Sequence, residues 1–452
     1  MKYKCSKCGF IHLGELPDGY YCPLCHSNFS YFKLIEEEEK KYNRKPIDPS
    51  NPGINRIPEK CINCGVCTRT CEKIVGIKDE LVCIKCGQCV LTCPTGALTP
   101  KYDYHTVLDL INDDEYTVIA MTSPAVRVGI GDAFGYPAGK FLEGKMVAAL
   151  KEIGFDYVFD TTFGADLTSM EEAFELKGRL EKKEVMFSSC CPSWVNYACI
   201  YHPELIKHIS TCKSPIGMES SIIKNYYTGL DDLDKDKVII VAVTPCTSKK
   251  AEILTGDCDY VITTSELAHL IRELNIDFKK LEDAEFDSVN GSSSGTIFGA
   301  SGGVTLSVLR VLYNYLTGRD MTADEVSIKE KEFYKEIKVK INKDIITCAS
   351  VSTLYNLEKI LPIKDEFNFI EVMNCAGGCV NGGGQILMPQ AEKEKIQKER
   401  GKSLFKDDVK PHIKYPYKNP IIKYLYDEYL GSPGSEEANE IFHIKHKKIG
   451  GK

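Results

Sequence analysis

The sequence has no long hydrophobic run, no excess of positive charge and no apolar leader at its start. No stretch of 18 consecutive apolar residues occurs, so we expect no segment that spans a membrane. The first residues, MKYKCSKCGF, lack the apolar core of a secretory signal, which argues against export and predicts a cytoplasmic protein. The formal net charge of −7 argues against nucleic acid as a main partner. At 452 residues the chain has room for about three domains.

Cysteine, by contrast, is abundant, with 21 residues. In a chain without an export signal, so many cysteines are more often metal ligands than disulfide partners. Twelve of them lie at short, regular spacings before residue 100, and most of the others lie in three isolated motifs further on. The resulting interpretation is an intracellular, anaerobic protein with several metal sites.

The first module, residues 1–35, contains two CxxC pairs separated by 13 residues. Such pairs can place four thiolates tetrahedrally around one ion. One interpretation is a structural zinc ribbon, and the other is an Fe(Cys)4 site that carries one electron. The pattern CxxCGF followed by PxxYxCPxC resembles the short rubredoxin-type domain of redox enzymes, and the redox modules downstream favour iron. The predicted ligands are Cys5, Cys8, Cys22 and Cys25. Residues 36–55, which are charged and rich in proline, are predicted to be a linker.

The second module, residues 56–100, repeats the pattern CxxCxxCxxxC, and its second copy closes with Pro94. In folds with this repeat, three cysteines of one run and the last of the other hold each [4Fe–4S] cluster. One cluster is therefore expected on Cys61, Cys64, Cys67 and Cys93, and the other on Cys83, Cys86, Cys89 and Cys71. The pattern departs from the usual one at Glu72, where the first run commonly has proline.

Beyond residue 100 apolar strands alternate with amphipathic helices. Strands are predicted at 116–121, 155–160, 185–189, 237–243, 259–263 and 367–373, and helices at 138–153, 169–181, 265–274 and 304–316. The alternation predicts an α/β domain over 101–452, with mainly parallel sheets flanked by helices in two lobes. The two modules before it are predicted to be a small β domain and a small α+β domain.

Three cysteine motifs each follow an apolar run that is predicted to be a buried strand. They are SSCCPSW at 188–194, TPCTSKK at 244–250 and MNCAGGCVNGGGQ at 373–385. Open α/β sheets build their sites at strand ends, so Cys191, Cys246, Cys375 and Cys379 are predicted to form one four-thiolate metal site. The glycines at 382–384 let the backbone come close to an inorganic ligand without a clash from a Cβ atom.

These motifs, in this order, resemble those of the [FeFe]-hydrogenases, and the resemblance extends from about Ile57 to the C-terminus. It implies that the four cysteines hold a [4Fe–4S] cluster. Cys379 would also bridge to a two-iron subcluster that bears CO, cyanide and an azadithiolate. The pair of clusters is the H-cluster, and the implied reaction is reversible, with two protons and two electrons giving H2.

The resemblance also implies which residues contact the subcluster. Pro124 and Ala125, in SPAVRV, would touch the cyanides, and Phe298 would pack beside the subcluster. Met373, which opens the third motif, belongs to the same expected binding set. Lys249 would donate a charge-assisted hydrogen bond to a bound cyanide, although a lysine outside such a motif would be an ordinary surface residue.

A proton route follows from the same resemblance. Cys190 would face the bridging amine, and a thiol beside a cluster can have the tuned pKa that proton transfer needs. Spacings of three and four put the acids and arginine of SMEEAFELKGR on one helical face, which by itself would be a solvated salt-bridge stripe. The predicted order from solvent to cluster is Arg179, Glu175, Ser210, Glu172 and Cys190.

Four positions depart from the family pattern. Thr244 stands where well-studied members have methionine, and Ile216 stands where glutamine is usual. Asn374 replaces a small residue and Ile386 replaces proline. Residues behind metal ligands tune potential and access, so we expect working catalysis with altered bias, overpotential or oxygen response. The [2Fe–2S] domain and His-ligated cluster of many relatives have no counterpart motif.

Two other functions stay open at this stage. A cytosolic iron–sulfur assembly factor would share the fold and cluster cysteines but would need no proton relay. A sensory hydrogenase would commonly lack the relay cysteine and carry a signalling domain. For a catalytic hydrogenase, the expected partners are H2 and protons, proteins that build the H-cluster, and a ferredoxin, rubredoxin or flavoprotein that exchanges electrons.

Overall fold

The computed structural model describes residues 2–7, 11–13, 16–17, 19–23, 25–34, 44–77, 82–287, 291–389, 391–410 and 413–449. The chain divides into two compact units, Met1–Arg44 and Lys45–Lys452. Cys8 and most of the predicted linker before Lys45 lie outside the described residues. No helix within the described ranges is long and apolar enough to cross a membrane.

The first unit is a small antiparallel β structure. Strands β1 (Lys2–Cys5), β2 (Ile11–Leu13) and β3 (Phe32–Leu34) form a sheet in the order β2-β1-β3. Cys5, Cys22 and Phe32 are buried, and the ring of Tyr20 packs edge-on against Phe32. So small a sheet buries little apolar surface, and we expect a bound ion to contribute much of its stability.

The second unit contains the cysteine repeat and a large α/β domain. Its strands are β4 (Ile54–Arg56), β5 (Leu98–Pro100), β6 (Thr117–Thr122), β7 (Tyr157–Asp160), β8 (Met186–Phe187), β9 (Val238–Thr244), β10 (Tyr260–Thr263), β11 (Val326–Glu330), β12 (Lys335–Ile341), β13 (Asp344–Ser352) and β14 (Phe369–Met373). Its helices are α1 (Val66–Thr70), α2 (Tyr104–Ile111), α3 (Glu143–Ile153), α4 (Thr162–Lys182), α5 (Pro192–Tyr201), α6 (Pro215–Ile222), α7 (Thr228–Leu230), α8 (Thr264–Glu273), α9 (Ser293–Thr296), α10 (Gly303–Thr317), α11 (Leu354–Ile360), α12 (Lys393–Asp407), α13 (Pro420–Leu425) and α14 (Glu436–Phe442).

The first sheet of the α/β domain is fully parallel. Its order is β10-β9-β6-β7, and every described pairing in it is parallel. Helices α3 and α8 cover one face through a cluster that includes Met146 and Leu267, and α6 covers the other through Ile216. A sheet that is buried on both faces needs continuous apolar strands, and the runs TVIAMT and VIIVAVT satisfy that need.

The second sheet is mixed. Its order is β11-β12-β13-β14-β8, in which β13, β14 and β8 run parallel and β11, β12 and β13 form antiparallel pairs. The α/β class is therefore confirmed, whereas the antiparallel arm β11–β13 was not predicted. Its inward residues, such as Ile337 and Val339, pack with α10, and its outward residues are polar. This alternation in KEIKVKI is the sequence signal for a half-buried strand.

Two helices begin where the sequence did not indicate. Helix α3 begins at Glu143 rather than at 138, because Gly139 has a φ of +72° and interrupts the helical backbone. Helix α4 begins at Thr162, seven residues before the predicted start, directly after strand β7. Its first two turns are buried on all sides, so they carry no amphipathic period that would mark them.

The two sheets direct their carboxyl ends towards one cavity. The segments after β6, β7 and β9 of the first sheet line it, and so do the segments after β8 and β14 of the second. Because parallel strands end at a common edge, residues distant in sequence meet there. The fold therefore supports the predicted location of the site at the strand ends, between two sheet-based lobes.

Candidate metal centre

The cavity between the two sheets, hereafter the metal chamber, is lined by every residue predicted to bind the subcluster or its cubane. These are Pro124, Ala125, Cys191, Cys246, Phe298, Met373, Cys375 and Cys379. Cys190 and Lys249 lie on its wall as well. Most of the remaining lining is apolar or backbone, so the thiols and the lysine dominate its chemistry.

Four thiols enter the metal chamber from three strand ends. Cys191 precedes α5, whose first residue is Pro192, and Cys246 follows β9. Cys375 follows β14, and Cys379 opens a short helical turn after the glycine pair. The strands are rigid and buried, so they hold these sulfur atoms in fixed positions.

The acidities of these thiols fit a cationic cluster. Burial, and then the neighbouring Cys191, raise the pKa of Cys246 to about 11. Burial, and then the neighbouring thiols, raise the pKa of Cys375 well above its ordinary value. Four such thiols can ionise together only if a positive group binds among them, because burial and mutual repulsion both oppose their charge. The donor set therefore fits an iron–sulfur cluster, whose ligands are cysteine thiolates.

Lys249 is paired with an acid that the sequence analysis did not identify. Its Nζ lies 2.7 Å from Glu252 Oε1, and both side chains are largely buried. Burial alone would lower the pKa of Lys249, but Glu252, together with the nearby Cys246 and Cys190, raises it. Glu252 also accepts a hydrogen bond of 2.9 Å from the Ser214 hydroxyl. The lysine is therefore a fixed cation at the chamber wall, and the i,i+3 spacing was the available signal for its partner.

The cysteine repeat packs directly against the metal chamber. Gln88 donates from Nε2 to Cys375 Sγ at 3.2 Å and to the carbonyl of Asn381 at 3.0 Å. A Cβ atom on Gly383 would lie 2.5 Å from the carbonyl oxygen of Cys86, so glycine is required for this approach. Gln88 lies inside the repeat between two predicted ligands, and its contact with Cys375 could not be read from spacing.

Within the repeat the structure groups the cysteines as the spacing predicts for one cluster. Cys71, Cys83, Cys86 and Cys89 line a single small cavity. For the other predicted set, Arg56 lies 3.9 Å from Cys61 Sγ and 3.8 Å from Cys67 Sγ. Cys93 packs in the same cluster as Cys67, and Cys64 is exposed. Backbone N–H groups after Cys93 outweigh burial and lower its pKa, which favours the thiolate that a metal requires.

In the first unit the described cysteines form a compact group. The sulfur atoms of Cys5, Cys22 and Cys25 all lie within 4.8 Å of one another. Cys5 Sγ and Cys25 Sγ are 3.6 Å apart. The fourth predicted ligand, Cys8, lies outside the described residues. Three convergent thiols fit the geometry of one tetrahedral ion.

The predicted proton route forms a connected set of side chains on α4 and the segment after β8. Arg179 Nη2 lies 2.9 Å from Glu175 Oε1, and the Ser210 hydroxyl donates to Glu175 Oε2 at 3.0 Å. Glu172 Oε1 accepts from the Ser189 N–H at 3.2 Å. Glu172 Oε2 is buried and has no hydrogen-bond partner among the described residues.

Burial governs the acidity along this set. It raises the pKa of Glu172 to about 8, while the Ser189 N–H and the Ser210 hydroxyl act in the opposite direction. Burial, followed by the charge of Glu172, raises the pKa of Cys190 well above its ordinary value. Glu172 can therefore gain and lose a proton near neutral pH, and the Cys190 thiol stays protonated.

The C-terminal segment covers the outer part of this set, which the sequence did not indicate. His443 Nδ1 lies 2.7 Å from the Thr211 hydroxyl, and His443 Nε2 lies 3.2 Å from Glu171 Oε2. The N–H of Ile444 donates to the Thr211 carbonyl at 2.8 Å. Thr211 in turn donates its N–H to Glu175 at 3.0 Å, so the segment is tied to the same carboxylate.

Three of the four departures from the family pattern lie on the metal chamber. Thr244, Ile216 and Asn374 line it, whereas Ile386 packs against the apolar cluster beneath the first sheet. Neither Oδ1 nor Nδ2 of Asn374, both buried, has a hydrogen-bond partner among the described residues. The Asn374 side chain nevertheless lowers the pKa of Cys86, so it acts on a predicted ligand of the cysteine repeat and adjoins Cys375.

Strand ends that bring four cysteines into one chamber, beside a repeat of further cysteines, define an iron–sulfur oxidoreductase. The family described as iron only hydrogenase large subunit, C-terminal domain, matches residues 116–383. The iron hydrogenase small subunit family matches 394–448, and a 4Fe-4S binding domain matches 77–99. The chain belongs to the iron-only, or [FeFe], hydrogenase family.

Similar proteins cover most of the chain. It is 38% identical to iron hydrogenase 1 of Clostridium pasteurianum over 95% of this chain and 83% of that protein. It is 29% identical to cytosolic iron-sulfur assembly component 3 of Bos taurus over 75% of each. A solved variant of the apo [FeFe]-hydrogenase from Chlamydomonas reinhardtii matches with a TM-score of 0.69 and 29% identity, covering 77% of this chain and 99% of that one. The protein is a hydrogenase-type oxidoreductase that depends on iron–sulfur clusters.

Proposed function

We propose that the protein catalyses the reversible formation of H2 from two protons and two electrons, with the residues of the metal chamber in the roles given above. The observation that carries the proposal is Cys190 on the chamber wall with the buried Glu172 behind it. Such a pair would serve a reaction that consumes or releases protons inside a closed cavity.

Cys191, Cys246, Cys375 and Cys379 would hold the cubane of the H-cluster, and Cys379 would share its sulfur with the two-iron subcluster. When bound, the H-cluster supplies the metal centre at which protons and electrons are exchanged with H2. Pro124, Ala125, Phe298 and Met373 exclude water from around it, because they present apolar side chains or backbone to the chamber. Lys249 offers a charged donor for an anionic ligand such as cyanide. Proteins that build the subcluster are implied partners.

Protons would enter at Arg179, which is the outer residue of the set and also donates to the Lys207 carbonyl at 2.8 Å. Glu175 links Arg179 to Ser210 through its two oxygen atoms. Ser210 lies near enough to Glu172 to stabilise its charged form. From Glu172 the next group inward is the Cys190 thiol. Each step joins groups that are in contact or act on each other electrostatically.

Electrons would reach the metal chamber through two [4Fe–4S] clusters on the cysteine repeat. Cys86 is close enough to Cys375 to raise its pKa, and Gln88 donates to the Cys375 sulfur. The cluster on Cys71, Cys83, Cys86 and Cys89 would thus be the last carrier before the chamber. One ion in the first unit, iron in preference to zinc, would be a further carrier. A ferredoxin, rubredoxin or flavoprotein would exchange electrons with the chain.

An iron–sulfur assembly factor is the alternative function, since a relative of that class is similar in sequence over 75% of the chain. Such a factor needs the cluster cysteines but gains nothing from a buried Glu172 behind a chamber thiol, with its Oε2 open among the described residues. The continuous set from Arg179 to Cys190 therefore favours the enzyme.

Infrared spectroscopy of the anaerobic protein after loading with the two-iron subcluster tests the proposal. We expect terminal CO, bridging CO and cyanide bands that shift under H2. Cys190→Ala should keep those bands and lose H2 evolution, and Cys199→Ala, at a buried thiol remote from the chamber lining, should change neither. An absence of the bands in the wild-type protein, with only [4Fe–4S] signals in spin resonance, would favour the assembly factor.

A further inference from the structure

Each sheet contributes a chamber residue that has a buried carboxyl group behind it. On the second sheet this residue is Cys190, after β8, and the carboxyl group belongs to Glu172. On the first sheet it is Thr161, directly after β7. The carboxyl group beside Thr161 is that of Glu219 on α6. The proposed relay uses the first pair and leaves the second unexplained.

Glu219 has an open oxygen in a buried position. Its side chain is 2% exposed. Among the described residues, neither Glu219 Oε2 nor the Thr161 hydroxyl makes a direct hydrogen bond that satisfies it. The Thr161 hydroxyl is nevertheless the group that most strongly stabilises the charged form of Glu219. The two groups are therefore close enough to act on each other, and neither atom is committed to another partner among the described residues.

Buried carboxylates with a purely structural role in this protein look different. Glu371 is fully buried and accepts hydrogen bonds from the Gly302 N–H at 2.7 Å, the Thr305 N–H at 2.8 Å and the Ser350 hydroxyl at 2.9 Å. Both of its oxygen atoms are satisfied. Buried polar atoms are normally bonded in this way, so the open oxygen of Glu219 calls for a function.

Glu219 also lies on the wall of a second cavity, of about 490 Å3, hereafter the outer cavity. Apolar side chains such as Phe159, Phe163 and Ile222 form part of its lining. Tyr226 and Tyr227 provide polar groups, and Leu230 at its edge is well exposed. The carboxyl group of Glu219 therefore stands between the outer cavity and Thr161 of the metal chamber.

We propose that Glu219 and Thr161 form a second proton-transfer route, which connects the outer cavity with the metal chamber through the wall of the first sheet. The inference rests on the proposed function, because a route for protons is needed only if the chamber consumes or releases them. Glu219 would give its proton to the Thr161 oxygen while the Thr161 hydroxyl releases its own proton to a base bound in the metal chamber. Water in the outer cavity would then reprotonate the carboxylate, and the reverse sequence would carry protons outward.

The electrostatic surroundings suit such a carrier. Burial, and then the charge of Asp160, raise the pKa of Glu219 to about 8. Arg127 acts in the opposite direction, but it is already paired with Asp160 at 2.6 Å and with Glu143. The charged and titratable groups that face Glu219 or the outer cavity are Asp160, Arg127, Tyr226, Tyr227, Asp287 and Tyr424. None of the described groups forms an ion pair with Glu219, so it can cycle between its two forms near neutral pH.

The first test uses protein that lacks the two-iron subcluster, so its readout is independent of H2 chemistry. In a Glu172→Gln background, which removes the other buried carboxyl group with a pKa of about 8, infrared difference spectra between low and high pH should contain a protonated-carboxyl band that titrates near pH 8 and is lost when Glu219→Gln is added. Transfer to D2O should shift this band within the mixing time. Asp166→Asn is the matched control and should leave the Glu219 band in place. Asp166 is also buried, and its pKa is raised to about 7, but its oxygen atoms are bonded to Ser292 and Asn419. A spectrum that Glu219→Gln leaves unchanged would overturn the inference.

The second test uses the loaded enzyme with the first route blocked by Glu172→Gln. The residual H2 evolution of this variant should fall roughly tenfold further in the double variant with Glu219→Gln. Thr161→Val, which keeps the side-chain shape and removes the hydroxyl, should give the same loss and covers the case in which Glu219→Gln fails to fold. Equal residual rates in the single and double variants would refute the second route. A wild-type enzyme without any H2 evolution would refute the proposed function instead, whatever the carboxyl band shows.

Discussion

Glu172 and Glu219 are two buried carboxyl groups behind the metal chamber with the same acidity and different neighbours. Burial raises the pKa of each to about 8, and each has one oxygen without a partner among the described residues. Glu172 continues through Ser210 and Glu175 towards solvent, whereas Glu219 faces a cavity. Burial thus determines the pH at which a carboxyl group changes charge, whereas its hydrogen-bonded neighbours and adjoining cavities determine where the proton goes.

The largest expected effect comes from removing the titrating carboxyl group of Glu172, which belongs to the route with more hydrogen-bonded neighbours. Glu172→Gln keeps the shape of the side chain but cannot carry a proton, so H2 evolution should fall by about 10²–10⁴-fold. The CO and cyanide bands should stay as in the wild type. Glu181→Gln, at an exposed position on the same helix, is the control and should retain full activity. Normal turnover in Glu172→Gln would contradict the order of the proposed relay.

The shared acidity predicts a shared pH dependence of stability. The native pKa of about 8 lies above the value of 4.5 for a free glutamate, so between these values the unfolded chain releases a proton that the native protein keeps. Wild-type stability should therefore fall as the pH rises through this window. Each glutamine variant removes one such contribution, on the order of a few kcal/mol by the upper end of the window.

Urea unfolding of both glutamine variants at about pH 5 and about pH 8 measures this effect. The difference between variant and wild-type free energies of unfolding should become more favourable to the variant at the higher pH. Asp287→Asn, which alters a partly exposed carboxylate at the outer cavity, provides the control without a buried acid. If the difference in free energy of unfolding did not change with pH for Glu172→Gln or Glu219→Gln, the native pKa of that glutamate would be ordinary.

The entrance of the first route should matter less than its centre. Arg179 and Glu175 are each about 15% exposed, so water can replace the guanidinium as a proton donor. Because partly exposed ion pairs contribute about 0.2–1 kcal/mol, Arg179→Ala should lower H2 evolution by only about two- to fivefold. Steady-state rates of H2 evolution by the variant and the wild type measure the effect. A loss as large as that in Glu172→Gln would mean that Arg179 is the sole entrance.

The smallest expected effect is that of Glu219→Gln in an otherwise unaltered enzyme. While the first route is open it supplies the chamber, so the rate should change by less than about twofold. A proton-inventory experiment in H2O and D2O mixtures would then detect the variant more sensitively than the rate itself. A severe loss of H2 evolution in this single variant would mean that Glu219, and not Glu172, belongs to the main proton route.

Much of the site could be predicted because its chemistry is written in residue type and spacing. Cysteines at CxxC spacing serve few purposes, and the grouping of Cys71 with Cys83, Cys86 and Cys89 follows from the repeat alone. Apolar strands that end in Cys191 or Cys246 likewise indicate a common edge of a sheet. These signals are local, so no knowledge of distant contacts is needed to recognise them.

Other parts of the site depend on contacts between segments that carry no shared pattern. Gln88 and His443 became meaningful only when folding brought them to Cys375 and to the Thr211–Glu175 pair. The antiparallel arm β11–β13 was missed although its alternation is visible in KEIKVKI. An isolated glutamate on an apolar helix such as α6 has no sequence signature of burial, and its role depends on what packs around it.

By itself, the sequence determined which thiols lie at metal-ligand spacing, in what groups, and after which apolar segments. The spacing of cysteines and the periodicity of apolar residues extend over a few positions, and so both can be read directly from the sequence. The tertiary structure alone decided which carboxyl groups lose their water, which sulfur atoms Gln88 and Lys249 approach, and that Glu219 stands between two cavities. Desolvation depends on every neighbour in space at once, and so no stretch of the chain encodes it alone.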